Sequence, residues 1–428
     1  PACERVTRPA TPASVSTRGR TMTFKNIAVI GAGTMGSGIA GQIANAGHNV
    51  LLLDLTTDAT DYALERLKKS EPAPLHQRSN VDRITTGTID GDVDKLADCD
   101  WIVEAIVERL DIKRDLYARL NDVIKPDCIV TSNTSTIPIS LLVAEAPRSF
   151  QERFAITHYF NPVRYMRLLE LVRGEHTRAD VMNRLAHFND GILGKGVVTC
   201  NDTPGFLGNR VGVFALQVGM DEAFKQGLTV EEADALMGRP MGIPKAGVFG
   251  LYDLIGVDLM SDVVDTLGDI LPENDVFHAI GTKGNPVMPL IREMVAAGFT
   301  GDKGKGGFYR VVDGRELAVD LAMGQTRPRV MELPAKAQKA ADQQAAGEET
   351  LTGLIQGNDA QTTFCRRMLG RVFAYAASLI PDVTASPQDI DDAMKLGFNW
   401  VRGPFEMMDA MGAGVAKELV IEAELDVP

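Results

Sequence analysis

The sequence predicts an α/β fold, a Rossmann-like doubly wound sheet, followed by a duplicated all-α helical region. Three observations carry that expectation. A β run from Ile27 to Ile30 leads straight into Gly31, Gly33 and Gly36 in G-x-G-x-x-G spacing. Strand-like and helix-like segments then alternate, the pattern of a parallel sheet with crossover helices. Further on, "GVFGLYDLIG" (247–256) recurs as "GPFEMMDAMG" (403–412), a constant offset of 403 − 247 = 412 − 256 = 156 residues.

The first unit, "NIAVIGAGTMGSGIAGQIANAGHNVLLLDLT", reads as strand, glycines, small-residue helix and second strand ending at Asp54. Gly31 permits the tight turn and Gly33 lets the backbone approach a diphosphate. Gly36 allows close packing of the helix, whose amino end, from Thr34 and Met35, faces the phosphates. Asp54, 18 residues after Gly36, is placed to accept hydrogen bonds from an adenosine ribose and to repel a 2′-phosphate, which favours NAD over NADP. The stretch "YALERLKKSEPAPLHQRSNVDRITTG" inserts a basic helix and a proline break before the next strand. Lys68 and Lys69 within it are candidates for an anionic group, against a plain solvated face. Further β runs are expected at Trp101–Glu108 and Cys128–Ser135, separated by an amphipathic helix. Glu108 and the "SNTS" loop then fall beyond the carboxyl ends of strands, where ligands of such sheets bind.

At 428 residues the chain calls for two or three domains. Its 45% hydrophobic and 24% charged residues are those of a soluble globular protein, with no apolar run of bilayer-spanning length. A formal charge of −13 argues against a nucleic-acid footprint. The five cysteines (Cys3, Cys99, Cys128, Cys200, Cys365) are scattered and lack metal-like spacing, so reduced, buried thiols and no metal site are expected. That suits a cytoplasmic or similarly reducing compartment, or the mitochondrial matrix if the Arg/Ser/Thr-rich residues 1–21 are a transit peptide. A cloning remnant is the alternative for that stretch, and Met22 is a plausible native start.

"THYFNPVRYMRLLELV" (157–172) sets His158 and Glu170 into two apolar runs around an Asn-Pro turn. If those runs lie side by side the two side chains face each other, 170 − 158 = 12 residues apart. A carboxylate on one imidazole nitrogen fixes the tautomer and raises the basicity of the other. Beside a nicotinamide, such a base removes the proton of an alcohol while its carbon yields hydride. The plain alternative is a core histidine satisfied by a neighbouring carboxylate.

The order of "GAGTMG", "VEAIVE", "SNTS", "HYFNPVRYMRLLELV", "DTPGFLGNR" and "GKGGFY" resembles the L-3-hydroxyacyl-CoA dehydrogenase family over about residues 24 to 310, and more weakly to about 420. The resemblance implies NAD-dependent oxidation of a 3-hydroxyacyl-CoA to the 3-ketoacyl-CoA, as in fatty-acid β-oxidation. His158 then matches the family's catalytic base and Glu170 its orienting carboxylate. Ser135 and Asn209 match the polar residues flanking the substrate oxygens. Glu108, Lys113, Asn161 and Lys303 match cofactor contacts, and Ser70 with the basic arm lies near the CoA contacts. Here that arm is shorter and interrupted by proline. Two further readings are another hydroxyacid-type NAD dehydrogenase, for which the commonly used lysine is replaced here by a His–Glu pair, and a silent NAD-binding module.

After "DTPGFLGNR" the pattern turns helical, with Thr229 and Glu232 marking a helix start. "EEADALM" answers "QDIDDAM" with one residue of slippage, and Asn209 falls opposite Cys365, so the second copy is expected to be structural. Between the copies, a hairpin is expected on Asp313-Gly314, then an exposed helical connector. The expected domains are 22–200 (NAD-binding), 201–310 (first helical unit), 311–360 (hairpin and connector) and 361–428 (second helical unit). The two units are expected to form an intramolecular pseudo-dimer, with Phe249 and Phe405 in equivalent buried positions. Such duplicated tails resemble those of multifunctional β-oxidation proteins, which makes an enoyl-CoA hydratase portion or partner a further expectation.

Overall fold

The structure is a computed structural model that describes residues 23–281 and 284–424; the readings of residues 1–21, Met22 and Cys3 fall outside them. Eight strands form the main sheet: β1 (Ile27–Ile30), β2 (Val50–Asp54), β3 (Ile84–Thr88), β4 (Trp101–Glu104), β5 (Ile129–Ser132), β6 (Phe154–Tyr159), β7 (Leu168–Arg173) and β8 (Gly196–Asn201). Their order is β3-β2-β1-β4-β5-β6-β7-β8. Strands β1 to β6 are parallel, β7 runs antiparallel to β6, and β8 is parallel to β7. Strand order reverses at β1 and β4, which opens a crevice at their carboxyl ends. One face buries Ile39, Leu52, Val103 and Phe188; the other buries Ile30, Ile102, Val130 and Phe154 in a core continuous with the helical region.

Two strands are shorter than the apolar runs suggest, ending at Glu104 and Ser132 rather than Glu108 and Ser135. The last side chain of each turns the backbone out of the ladder: Glu104 accepts from the Ile106 N–H at 2.9 Å, and the Ser132 hydroxyl from the Thr134 N–H at 3.2 Å. Strands β3 and β8 carried no alternation strong enough to single them out.

In the helical region, the Gly208–Lys225 helix is buried along most of its length because the Ala360–Ser378 helix lies against it. Phe214 stacks on Tyr375 with ring centroids 3.9 Å apart. Arg371 reaches back to Asp221 and Glu222 at 2.5 and 2.8 Å. The Cβ of any residue but glycine at Gly212 would meet the Phe398 ring at 2.1 Å.

The repeated motifs share one device. Asp234 accepts from the N–H groups of Val248 and Phe249, both at 2.7 Å, and Asp391 from those of Phe405 and Glu406 at 2.8 and 3.1 Å. A Cβ on Gly247 or Gly403 would fall 2.5 or 2.2 Å from the capping aspartate's Cα, so glycine is required in both copies. Thr229 caps the Val230–Leu236 helix in a reciprocal box with Glu232.

The expected equivalence of Phe249 and Phe405 is corrected: Phe249 is fully buried, Phe405 only half-buried. Phe249 meets Phe308 edge-on at 4.8 Å from the segment after the first copy, a lid that the second copy lacks among the described residues. The connector is helical and largely exposed as expected, but one side of it turns inward. The hairpin of β9 (Tyr309–Val312) and β10 (Arg315–Val319) turns on Asp313 and Gly314, both at positive φ. An unforeseen strand, β11 (Thr326–Pro328), joins β10. The Ala335–Ala345 helix then buries Ala337 and Ala340, and Leu351 and Leu354 are buried beyond it. Its small residues carry too little apolar signal to show which side faces inward.

Cys99, Cys128, Cys200 and Cys365 are free and buried. Among the described residues there is no metal-type cluster, and no helix is long and apolar enough to cross a membrane.

Candidate active site

The glycine-rich turn is built for close approach. Gly31 has φ +105° and a Cβ there would lie 2.4 Å from the Ala105 carbonyl oxygen; one on Gly36 would lie 1.8 Å from that of Gly31. At Gly33 an added Cβ would meet nothing within 4 Å, so the turn presents bare backbone to open space. The Thr34–Asn45 helix that follows has no side-chain cap and no acidic residue in its first turn, leaving its N–H groups for an anion. Asp54, at the end of β2, accepts from the N–H groups of Ala32 and Leu55 at 2.5 and 2.6 Å. A carboxylate has about four lone-pair sites, so acceptor capacity for ribose hydroxyls remains. These residues fit a dinucleotide. If Asp54 repels a 2′-phosphate, kcat/KM should be clearly higher with NAD than with NADP; equal use of both would remove Asp54 from the site.

His158 on β6 lies directly opposite Glu170 on β7 in the antiparallel register. Its Nδ1 is 2.6 Å from Glu170 Oε2. Both are buried, and Phe160 and Phe206 flank the imidazole with ring centroids at 4.6 and 5.8 Å. With Nδ1 engaged, Nε2 is the nitrogen left for a ligand. The second oxygen of Glu170 accepts from the N–H groups of Leu207 and Gly208 at 2.9 and 2.6 Å, the start of the Gly208–Lys225 helix. The "DTPGFLGNR" segment thus ties the carboxylate to the helical region through backbone groups, and Phe206, at φ +45°, makes the turn that aims them.

His158 lines a cleft of about 350 Å³ with Met35, Glu108, Lys113, Ser135, Asn161 and Asn209. Beneath it, Lys113 is buried between two carboxylates, 2.6 Å from Glu104 and 3.3 Å from Glu108. Glu104 also accepts from the hydroxyls of Tyr117 and Ser132 at 2.5 and 2.6 Å. Burial and the adjacent Glu104 charge push the Tyr117 phenol well up, so it stays a donor. Burial raises the Glu108 carboxyl, but Lys113 and the hydroxyls of Thr134 and Thr136 outweigh it and hold Glu108 below the usual range. Glu108 also receives the N–H groups of Ser135 and Thr136, each at 3.3 Å, which fixes the "SNTS" loop at the mouth of the cleft. Lys195, whose pKa burial lowers to about 8, donates to the carbonyls of Val163 and Met166 and so anchors the turn that carries Asn161.

Four expected residues are not brought to this cleft. Lys303 pairs with Asp258 at 2.8 Å, because the turn around it folds onto the Asp253 carbonyl. Lys68 and Lys69 lie 3.2 and 2.7 Å from Glu65 on their own helix, and Ser70 caps that helix. Conversely, Glu104 passed unremarked, although a glutamate inside the apolar run "WIVEAIVE" was its signal. Phe206 and the backbone amides of Leu207 and Gly208 left no such mark.

Fold and cleft together define a dinucleotide-binding protein of the Rossmann type with a buried His–carboxylate pair at the crevice. Comparison with known proteins agrees. The family model described as "3-hydroxyacyl-CoA dehydrogenase, NAD binding domain" matches residues 26–203, and that of the family's C-terminal domain matches 205–311 and 364–425. The chain belongs to the 3-hydroxyacyl-CoA dehydrogenase family, and its cofactor is NAD. A Rickettsia felis protein described as a fatty acid oxidation complex trifunctional enzyme is 38% identical over 90% of this chain and 53% of its own length. The chain therefore spans about half the length of that relative. The 3-hydroxyadipyl-CoA dehydrogenase of Escherichia coli is 30% identical over 89% of each chain. The crystal structure of 3-hydroxybutyryl-CoA dehydrogenase from E. coli superposes with a TM-score of 0.68 at 25% identity, covering 94% of each chain.

Proposed function

We propose that the chain oxidises an L-3-hydroxyacyl-CoA to the 3-ketoacyl-CoA with NAD, with His158 as general base oriented by Glu170, in fatty-acid β-oxidation. The observation that carries this reading is the His158–Glu170 pair, 2.6 Å apart across two strands, at a cleft shared with Met35 of the glycine-rich turn. The acyl-CoA class is supported by relatives named for 3-hydroxyadipyl-CoA and 3-hydroxybutyryl-CoA. NAD, held by the bare turn from Gly31 to Gly36 with Asp54, supplies the hydride acceptor. Glu170 holds Nδ1, so His158 takes the alcohol proton at Nε2 and bears positive charge beside a carboxylate as it does so. Ser135 and Asn209, both on the cleft lining, hold the substrate oxygens in this reading, and Lys113 with Glu108 orders the loop that carries Ser135. The trifunctional relative supports a hydratase portion or partner acting on the same acyl-CoA.

The test is to mix the protein with NADH and acetoacetyl-CoA, then longer 3-ketoacyl-CoAs and 3-ketoadipyl-CoA, and follow NADH loss. Turnover of at least one of these thioesters is expected; no turnover on any of them would sink the assignment. In Glu170→Gln the amide oxygen stays with the Leu207 and Gly208 N–H groups, so its NH2 faces His158 Nδ1, shifts the ring proton to Nε2 and removes the charge that stabilises the protonated ring. The substitution should lower kcat about 10²- to 10⁴-fold and leave NADH binding in place. An unchanged kcat would mean that Glu170 serves only to fill hydrogen bonds in the core.

A further inference from the structure

The Thr57–Lys69 helix ends in three cations, Arg66, Lys68 and Lys69. The two lysines share the single carboxylate of Glu65 on their own helix. Arg66 points to the glycine-rich turn instead. Its guanidinium donates to the Ala32 carbonyl at 3.3 Å and to the hydroxyl of Ser37, and lies 3.4 Å from the Thr34 hydroxyl. Those oxygens and the Tyr62 ring, 5.8 Å from the guanidinium, are all neutral, so a permanent positive charge stands at the turn with no carboxylate paired to it among the described residues. The adjacent Thr34–Asn45 helix directs its uncapped amino end to the same place, and nothing acidic lies in its first turn. Two positive features facing one spot repel unless an anion lies between them. Asp54 does not fill that role, since it approaches Ala32 through the N–H while Arg66 approaches through the carbonyl.

Two anions of the same chemistry are available to an enzyme of this kind, the diphosphate of a dinucleotide and that of an acyl-CoA. All three contacts of Arg66 fall between Ala32 and Ser37, on the turn whose bare glycine backbone fits the cofactor. We propose that Arg66 binds the diphosphate of NAD, contributing the charge that Lys68 and Lys69, tied to Glu65, do not. The proposal rests on the NAD-dependent reading of the cleft and adds a residue to it.

The test is to titrate NADH, ADP-ribose, adenosine and free CoA into the full chain without substrate, following NADH fluorescence or heat, for the wild type, Arg66→Gln and Arg66→Lys. Arg66→Gln should weaken NADH and ADP-ribose roughly tenfold, with adenosine changed by less than about twofold and Arg66→Lys intermediate. Raising KCl should weaken NADH binding to the wild type more steeply than to Arg66→Gln. An unchanged NADH Kd with an unchanged salt dependence would overturn the proposal. Equal losses for adenosine and NADH would also overturn it, because Arg66 would then only pack the turn. Weakened binding of free CoA with NADH unaffected would overturn it too and assign the charge to the acyl-CoA. A wild type that binds NADH but turns over no 3-ketoacyl-CoA would remove the functional reading and leave Arg66 standing. Normal turnover with an indifferent Arg66→Gln would remove only Arg66.

Discussion

His158→Gln is expected to lower turnover about 10²- to 10⁴-fold while NADH still binds. Glutamine is close to the imidazole in length and can hydrogen-bond to Glu170, so the sheet between β6 and β7 should hold. What it cannot do is take a proton. In the wild type the Nδ1 contact of 2.6 Å leaves Nε2 as the acceptor, and no other base lines the cleft at an equivalent position: Glu108 is committed to Lys113 and to the loop that carries Ser135. The measurement is steady-state turnover of acetoacetyl-CoA beside NADH titration of the resting protein. A variant that keeps most of its activity would return the pair to the role of a satisfied buried histidine and remove the base from the mechanism.

Removing the second helical copy is expected to leave a protein that is insoluble or associates with itself. The Gly208–Lys225 helix buries residues nearly all the way round, and one of its sides is covered by Ala360–Ser378. Without that cover Phe214 loses Tyr375, and Asp221 and Glu222, both fully buried, lose Arg371. An apolar face of that kind, with Glu222 stripped of both Arg367 and Arg371 while Asp221 keeps only Lys225, must find another partner or precipitate. The cut belongs after Gly357, beyond the connector. Val319 is buried, β11 completes the small sheet, and Arg327 pairs with Glu231 of the first unit, so a cut at 315 would damage that unit itself. Arg371→Ala in the full chain tests the charge term; with Arg367 still on Glu222 and Lys225 still on Asp221 it should cost about 1–3 kcal/mol of stability by denaturant unfolding. A truncated protein that stays monomeric, soluble and fully active would show that the second copy is no substitute subunit.

Some of this molecule is dictated by residue type alone. Gly31 and Gly36 announce the nucleotide turn because only glycine tolerates the backbone approaches found there, with Gly33 leaving bare backbone between them, and Asp313-Gly314 announces its hairpin because both residues tolerate positive φ. The repeat is legible for the same reason, since Gly247 and Gly403 each leave no room for a Cβ beside a capping aspartate. The histidine and glutamate stood out because polar residues inside apolar runs need a partner, and their 12-residue spacing allowed each to be the other's.

Contacts between distant segments left no comparable mark. The helix start that supplies the Leu207 and Gly208 amides to Glu170 is 37 and 38 residues away in sequence and acts through backbone, which every residue possesses. Lys303 matched a cofactor contact by motif, yet the fold of its turn gives it to Asp258. Lys68 and Lys69 drew notice as charges while Arg66, one turn earlier, reaches the glycine-rich turn. Local sequence sets which conformations and partners a residue can accept. Which partner it meets depends on how the helices and strands pack, and long side chains such as Lys and Arg can satisfy their charge in several directions until packing leaves one.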